Sequence, residues 1–543
     1  MSRHTVEVSA VRELALDRED RACPMCGRRM HIRSRRSRSI LTLDGPLQLS
    51  LGLVQCCDER CEHTKIYNPE QESSLAMPRW GIGWDVFCWI GQRRFSRHWS
   101  VPQIVNELRD SYDLRLSADA VEDHIASYQT MVAARHQDPQ ELATVYGGTR
   151  DIVLSIDGLQ PEKGHETLYV VREVTHNRVW FAEPLLSGAT DEVRKLILRA
   201  KEIAEGLGLN VVLWMSDKQD AFVTCIADEF SGVPHRFCTN HFVRDLARPI
   251  LAIDSTAKKK MRAKIRGLRT LEREVLEAQQ AHKADSDDAA GAVDEPLETS
   301  SLAGDGGAVV LDFCSAVRGI LNDNHGGPSN PPGVRMVAAL ADVQESLERI
   351  ATSGKSGPAF SLLDRLKGFI DRGVAEQQET FSRVRAYTAH VCDVMEILSV
   401  DEGASLAGRE SLFAAKLAEF QSLADDKVYH AMAKMMASFQ VGLFAGADLA
   451  DYPQDNLDIE RWFRAPKSHE RRIHGHKHAG IRIVREGATL IPTLDAHAQH
   501  PGVFTQQDLA GFATATTPES QLASQQRHGV MKKARSKKNE SSY

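Results

Sequence analysis

Two aspartates close apolar runs: DIVLSIDG (151–158) ends at Asp157-Gly158, and NVVLWMSD (210–217) ends at Asp217. Runs of roughly 4–8 aliphatic and aromatic residues bounded by turn residues read as buried strands. A carboxylate at the end of such a strand is rigidly held, and two brought side by side repel unless a cation neutralises them. That suits Mg²⁺ (or Mn²⁺), which takes few protein carboxylates and keeps positions for water and phosphate oxygens. One aspartate at a strand end is commonly a turn residue and would mean little. Two, on corresponding strands of one topology, point to metal chemistry.

A third carboxylate is required. The segment DNLDIERWFRAPKSHERRIHGHKHAG (455–480) offers Asp455, Asp458 and Glu460, with Glu460 on a resuming amphipathic helix beside Trp462 and Phe463. Arg461, Arg464, Lys467, Arg471 and Arg472 follow, with His474 and His476, and this density of cations suits DNA phosphate.

The elements that must position these groups are legible around them. After the strand ending in Asp157 come TLYVVREV (167–174) and RVWFAEPL (178–185), a β-meander turning at His176-Asn177. A helix over 190–208, closed by glycine, leads to the strand ending in Asp217; a short helix and PHRFC (234–238) follow. The order β-β-β-α-β-α-β is that of the RNase H-like fold, an α/β architecture in which the first and fourth strands are neighbours. Asp157 and Asp217 are then expected to meet at their C-terminal ends. The first part of this core spans 150–242 and the last part, with Glu460, 451–490. A large all-α insertion, 243–450, separates them. Its two gaps, 282–307 and 322–333, are rich in Gly, Pro, Ser and Asp, and neither is expected to pack. The stretch 491–543 reads as a basic, disordered tail carrying Lys532, Lys533, Arg535, Lys537 and Lys538.

Two modules precede the core. In 20–70, Cys23-Pro-Met-Cys26 followed by Gly27 is a knuckle whose thiolates can take adjacent corners of a tetrahedron. A second pair lies some thirty residues on: Cys57 with Cys61 is expected, Cys56 comes next, and His63 is a spare. Between them LTLDGPLQLSLGLVQC reads as a hairpin around Asp44-Gly45-Pro46, so the region resembles a zinc ribbon holding structural Zn²⁺. In 78–138, Ser100 caps a helix with Val101, Ile104, Val105 and Leu108 on one face. Ser117 caps the next, with Ala120, Val121, Ile125 and Tyr128. The pair fits a helix-turn-helix DNA-binding region, or equally an ordinary pair of packed helices; Asp119, Glu122 and Asp123 make its second helix acidic.

The bulk numbers set limits. With 543 residues, 42% hydrophobic and 26% charged, the chain reads as a globular protein of several units. Its net charge of −7 argues against nucleic acid only as an average, since arginines 21, 28, 29, 33, 35, 36 and 38 crowd one short segment. No apolar run approaches the roughly 20 residues of a membrane span, and the first residues lack a secretory h-region. A cytoplasmic, nucleoid-associated bacterial protein is expected.

Taken in order, the zinc-ribbon and helix-turn-helix region, SIDGLQP, WMSDKQDA, CTNH (238–241) and NLDIERWF resemble a DDE transposase of a bacterial insertion sequence, within the group of Mutator-like elements. The resemblance selects Glu460 as third carboxylate, from the Asn456-x-x-x-Glu460 arrangement followed by basic residues. Cys238-x2-His241 is similar to the C-x2-H after the fifth strand in that group, and two ligands suggest a DNA-contacting or packing role rather than metal. The resemblance implies two-metal phosphoryl transfer that cuts the element's ends and joins them to target DNA. It also implies double-stranded terminal inverted repeats as partner, and a homodimer or larger assembly on DNA. An RNase H-like nuclease without strand transfer, or a catalytically silent DNA-binding regulator, would share parts of this pattern.

Overall fold

The computed structural model describes residues 12–161, 165–288, 301–399, 405–446, 457–475 and 480–534. The chain divides into two compact units, Met1–Arg236 with Asp451–Tyr543, and Phe237–Ala450. The second unit therefore interrupts the first in sequence, as expected, with its start six residues earlier than the composition suggests.

The first unit opens with a three-stranded sheet of β1 (Arg12–Asp17), β2 (His31–Thr42) and β3 (Gly45–Gln55), in the order β1-β3-β2. β2 and β3 form the expected hairpin, and Gly45 supplies a positive φ of 102° at its turn. The arginines of this region are largely engaged by acids. Arg36 and Arg38 both bind the buried Glu72, at 2.9 and 2.6 Å, and Arg35 lies 3.0 Å from Asp17. The helices Trp84–Phe95, Val101–Tyr112 and Ala118–His136 follow, with the reciprocal cap at Ser100 closed by Gln103 and Ser117 capping the next. Gly91 lets the first of them touch the Tyr128 ring, where a Cβ would stand 2.3 Å away.

The second sheet contains β4 (Asp151–Leu159), β5 (Thr167–Glu173), β6 (Arg178–Leu185), β7 (Asn210–Ser216) and β8 (His235–Phe237), in the order β6-β5-β4-β7-β8. β4, β5 and β6 form an antiparallel meander, turning at Asn177 with φ of 55°, and β7 lies parallel to β4. Both faces are covered, which explains near-continuous apolar strands. On one face Ile152, Leu154, Ile156 and Trp180 pack against helices Thr190–Gly206 and Asp220–Glu229. On the other, Leu168, Val170, Val179 and Ala182 pack against Ile459, Phe463, Ile483 and Ile491.

The region after 490 corrects the expectation of a disordered tail. Helix Gly480–Gln499 continues through it, and helix Glu519–Ala534 folds back with Gln521 and Ser524 fully buried. Gln521 accepts from the Thr489 backbone and hydroxyl, so polar pairing replaces the apolar stripe that would have announced the helix. Arg535, Lys537 and Lys538 lie outside the described residues.

Apart from connecting loops and the last residue of β8, the second unit is built of helices, from Thr239–Lys264 to Lys427–Leu443. Its gaps are corrected in part. Helix Leu268–Asp288 runs into the first, whose residues 289–300 lie outside the described set. The second is tied down: the buried Asp254 accepts from the backbone N–H groups of Gly333 and Val334 at 2.8 and 3.0 Å. Lys258 donates to the Asp323 carbonyl and to Asn324, both at 2.8 Å. A polar loop packs because its backbone groups meet buried charged partners. Among the described residues no helix is long and apolar enough to cross a membrane.

Candidate active site

Parallel pairing of β4 with β7 runs from Asp151↔Asn210 to Ser155↔Met215. Asp157 and Asp217 each stand two residues past that last pair, and their carboxylate oxygens approach within 4.8 Å. Asp157 is 7% exposed, and one of its oxygens accepts from the Gly158 N–H at 2.7 Å. The two aspartates are thus brought together as expected.

The surroundings of the pair are polar and ordered. The Ser216 hydroxyl lies 2.7 Å from His235 Nε2 and donates to the Asp217 carbonyl at 2.6 Å. Burial holds the His235 imidazole down at about 4, so this ring is neutral at pH 7. Tyr169, opposite Gly158 on β5, has its phenol pushed up by burial and further by the negative field of Asp217 and Asp157. The sequence does not single out Tyr169, because only the β4–β5 register sets it opposite Gly158.

The helix carrying Glu460, Leu457–Trp462, packs on the same sheet face as Asp157. Asp157 is cross-strand partner to Val170, and paired residues share a face. Val170 in turn packs with Ile459 and Phe463, on either side of Glu460. The Glu460 and Asp458 side chains, Asp455, Asn456 and His476 lie outside what the structure describes. A buried hub fixes this helix: Asp495, 1% exposed, accepts from the Trp462 indole at 3.1 Å, the Val179 N–H at 2.8 Å and the Gln499 amide at 3.0 Å. His136 Nε2 is 3.1 Å from the same carboxylate.

Beyond it, helix Arg464–His474 presents Arg464, Lys467 and Arg471 at helical spacing, with Arg461 and Arg472 beside them; the four arginines are exposed and Lys467 is half-buried. Within that helix His469 and Glu470 are buried instead. Burial pushes Glu470 up to about 7 although Arg482 Nε lies 3.1 Å away. Cys238 and His241 open the first helix of the second unit, Thr239–Lys264, with Cys238 buried as its N-cap residue.

At the N-terminus, four thiols converge: Cys23, Cys26, Cys56 and Cys61, with sulfurs 3.8 Å apart for Cys23–Cys61 and 3.7 Å for Cys26–Cys56. Tetrahedral zinc with Zn–S of about 2.3 Å requires S···S separations of about 3.8 Å. The donor set fits such a metal, and four thiolates would leave it no open coordination position. Within the cluster the Cys26 N–H holds the Cys23 thiol down at about 7, whereas burial and the neighbouring thiols push Cys56 up to about 12 and Cys61 upward, so four thiolates together call for a cation. The expected ligand Cys57 is corrected to Cys56. β3 ends at Gln55, so the next residue continues toward the knuckle while exposed Cys57 turns back to the Gln55 carbonyl. His63 instead bonds the Tyr67 hydroxyl at 2.8 Å.

Comparison with known protein families finds no match, and comparison with curated proteins finds no related sequence.

Proposed function

We propose that this chain is a DDE-type DNA transposase of the bacterial insertion-sequence kind, with an RNase H-like core. The observation that carries the reading is the placement of Asp157 and Asp217 together at the C-terminal ends of the adjacent parallel strands β4 and β7. The meander followed by a parallel strand, in the order β6-β5-β4-β7-β8, supports the fold assignment. The packing of the Glu460 helix on the Asp157 face supports Glu460 as third carboxylate. Resemblance to the Mutator-like group remains a matter of the motifs.

On this reading Asp157, Asp217 and Glu460 hold two Mg²⁺ (or Mn²⁺) ions, which supply Lewis acidity for phosphoryl transfer when bound. Cleavage forms a bond from water oxygen to phosphorus and releases a 3′-hydroxyl. Joining forms a bond from that 3′ oxygen to a target phosphorus and breaks the target's phosphodiester. Arg461, Arg464, Lys467, Arg471 and Arg472 orient phosphates beside the carboxylates. Cys238 and His241 are assigned to DNA contact or packing at the start of the insertion.

The zinc-ribbon-like module and the two-helix region are assigned to end recognition in a dimer. Helix Ala118–His136, however, exposes Asp119, Glu122 and Asp123 and buries much of its C-terminal half, so its role in that recognition is secondary. The setting is the bacterial cytoplasm, at the nucleoid.

The test uses the purified full chain, Mg²⁺, a linear duplex carrying the DNA that flanks the coding sequence, and a supercoiled plasmid. Covalent joining of duplex to plasmid is expected. Cleavage without joining would identify a nuclease instead, and binding without cleavage a regulator.

A further inference from the structure

At the start of β5, three potential ligands converge that belong to neither metal site considered so far. His165 and Glu166 lead into β5, and His528 lies on the C-terminal helix Glu519–Ala534. His528 Nε2 stands 3.0 Å from Glu166 Oε2 and 3.4 Å from His165 Nδ1, and the three ligand atoms all lie within 4.8 Å of one another. The residues are 7%, 2% and 9% exposed in chain order.

We propose that His165, Glu166 and His528 form a second zinc site, with two imidazoles and one carboxylate as ligands. Zinc bonds of about 2.0–2.1 Å in a tetrahedron put ligand atoms about 3.3–3.4 Å apart, close to the spacings found. The carboxylate is divided between two tasks. Its Oε1 accepts from Arg527 Nε at 2.6 Å, which orients the group and leaves Oε2 facing the histidines. The outer nitrogens, His165 Nε2 and His528 Nδ1, are buried and meet no hydrogen-bond partner among the described residues. Without a metal the Glu166 carboxylate accepts the proton of His528 Nε2, and a bound zinc ion would displace that proton.

Three protein ligands leave a fourth position open. A cavity of about 810 Å³, lined by His165, His528, Ile481, Arg485, Gln525 and Lys532, adjoins it. Arg485 and Lys532 there suit an anionic fourth ligand, such as a phosphate or carboxylate oxygen. The alternative is a hydrogen-bonded ion triad that simply fastens the C-terminal helix.

Metal counting separates the two. The full chain carrying Asp157→Asn and Asp217→Asn, which removes the carboxylate pair as a rival site, is dialysed against zinc and its metal content measured. About two equivalents per chain are expected, falling to about one with His165→Ala or His528→Ala and to about one with Cys26→Ser/Cys56→Ser. Cobalt substitution gives a readout that needs no ligand variant: visible bands of a nitrogen–oxygen site should add to the near-ultraviolet thiolate charge-transfer band. One equivalent, lost only with the cysteine variant and showing only thiolate features, would overturn the proposal.

Discussion

Asp157 near the end of β4 and Asp217 just past the end of the parallel strand β7 each lie two residues beyond the Ser155↔Met215 pair, with carboxylate oxygens within 4.8 Å. Two negative charges at that distance repel by about 3.5 kcal/mol at an effective dielectric of about 20. A cation bound between the two carboxylates would offset that repulsion.

The first prediction follows from that repulsion. Asp217→Asn removes one of the two charges. Adding Mg²⁺ should raise the melting temperature of the wild type and leave the variant nearly unchanged. Thermal unfolding with and without Mg²⁺ checks this; an equal Mg²⁺ response in both proteins would count against a shared ion.

The cysteine knuckle gives a second. Cys56→Ser should remove about one equivalent of zinc and unfold the sheet β1-β3-β2, whereas Cys57→Ser should leave both intact. Metal analysis with circular dichroism decides, and loss of zinc in the Cys57 variant would return the ligand to that position.

Asp495 gathers donors from Trp462, Val179 and Gln499. Asp495→Ala leaves those buried donors unsatisfied and should destabilise the first unit by about 3 kcal/mol. Trp462→Phe removes only the indole bond and should cost about 1 kcal/mol. Urea unfolding measures both, and similar losses would mean that Asp495 acts through Trp462 alone.

Glu470 sets a pH dependence. Its folded value is raised by burial to about 7, against about 4.3 in an unfolded chain. The native state therefore holds the proton more tightly, and the stabilisation present below pH ~4.3 is lost as pH rises through about 7. Glu470→Gln should match the wild type near pH 4 and exceed it by about 3 kcal/mol at pH 8. A Gln variant less stable than wild type at pH 8 would show that the pairing with Arg482 outweighs desolvation.

What was legible in the sequence was what hydrophobic pattern controls. The strands ending in Asp157 and Asp217, the meander turning at Asn177 and the caps at Ser100 and Ser117 follow from apolar runs and turn chemistry, and all form as expected. What was hidden depends on polar partners distant in sequence. Cys56 and Cys57 are adjacent and chemically identical, so only the end of β3 distinguishes them. The C-terminal helix buries Gln521 and Ser524, residues whose type points to solvent. The loop leading to Pro332 is held by Lys258 at Asp323 and Asn324, and the helix start after it by Asp254, some 70 residues upstream. The crowding of arginines between 21 and 38 does not show that Glu72 and Asp17 engage Arg35, Arg36 and Arg38.

The most direct measurement compares Mg²⁺-dependent strand cleavage by the wild-type chain with that of Asp157→Asn and Asp217→Asn, on duplex DNA that each protein is shown to bind. The account predicts that cleavage falls by at least about 10³-fold in both variants while DNA binding persists. Undiminished cleavage in either variant would contradict it.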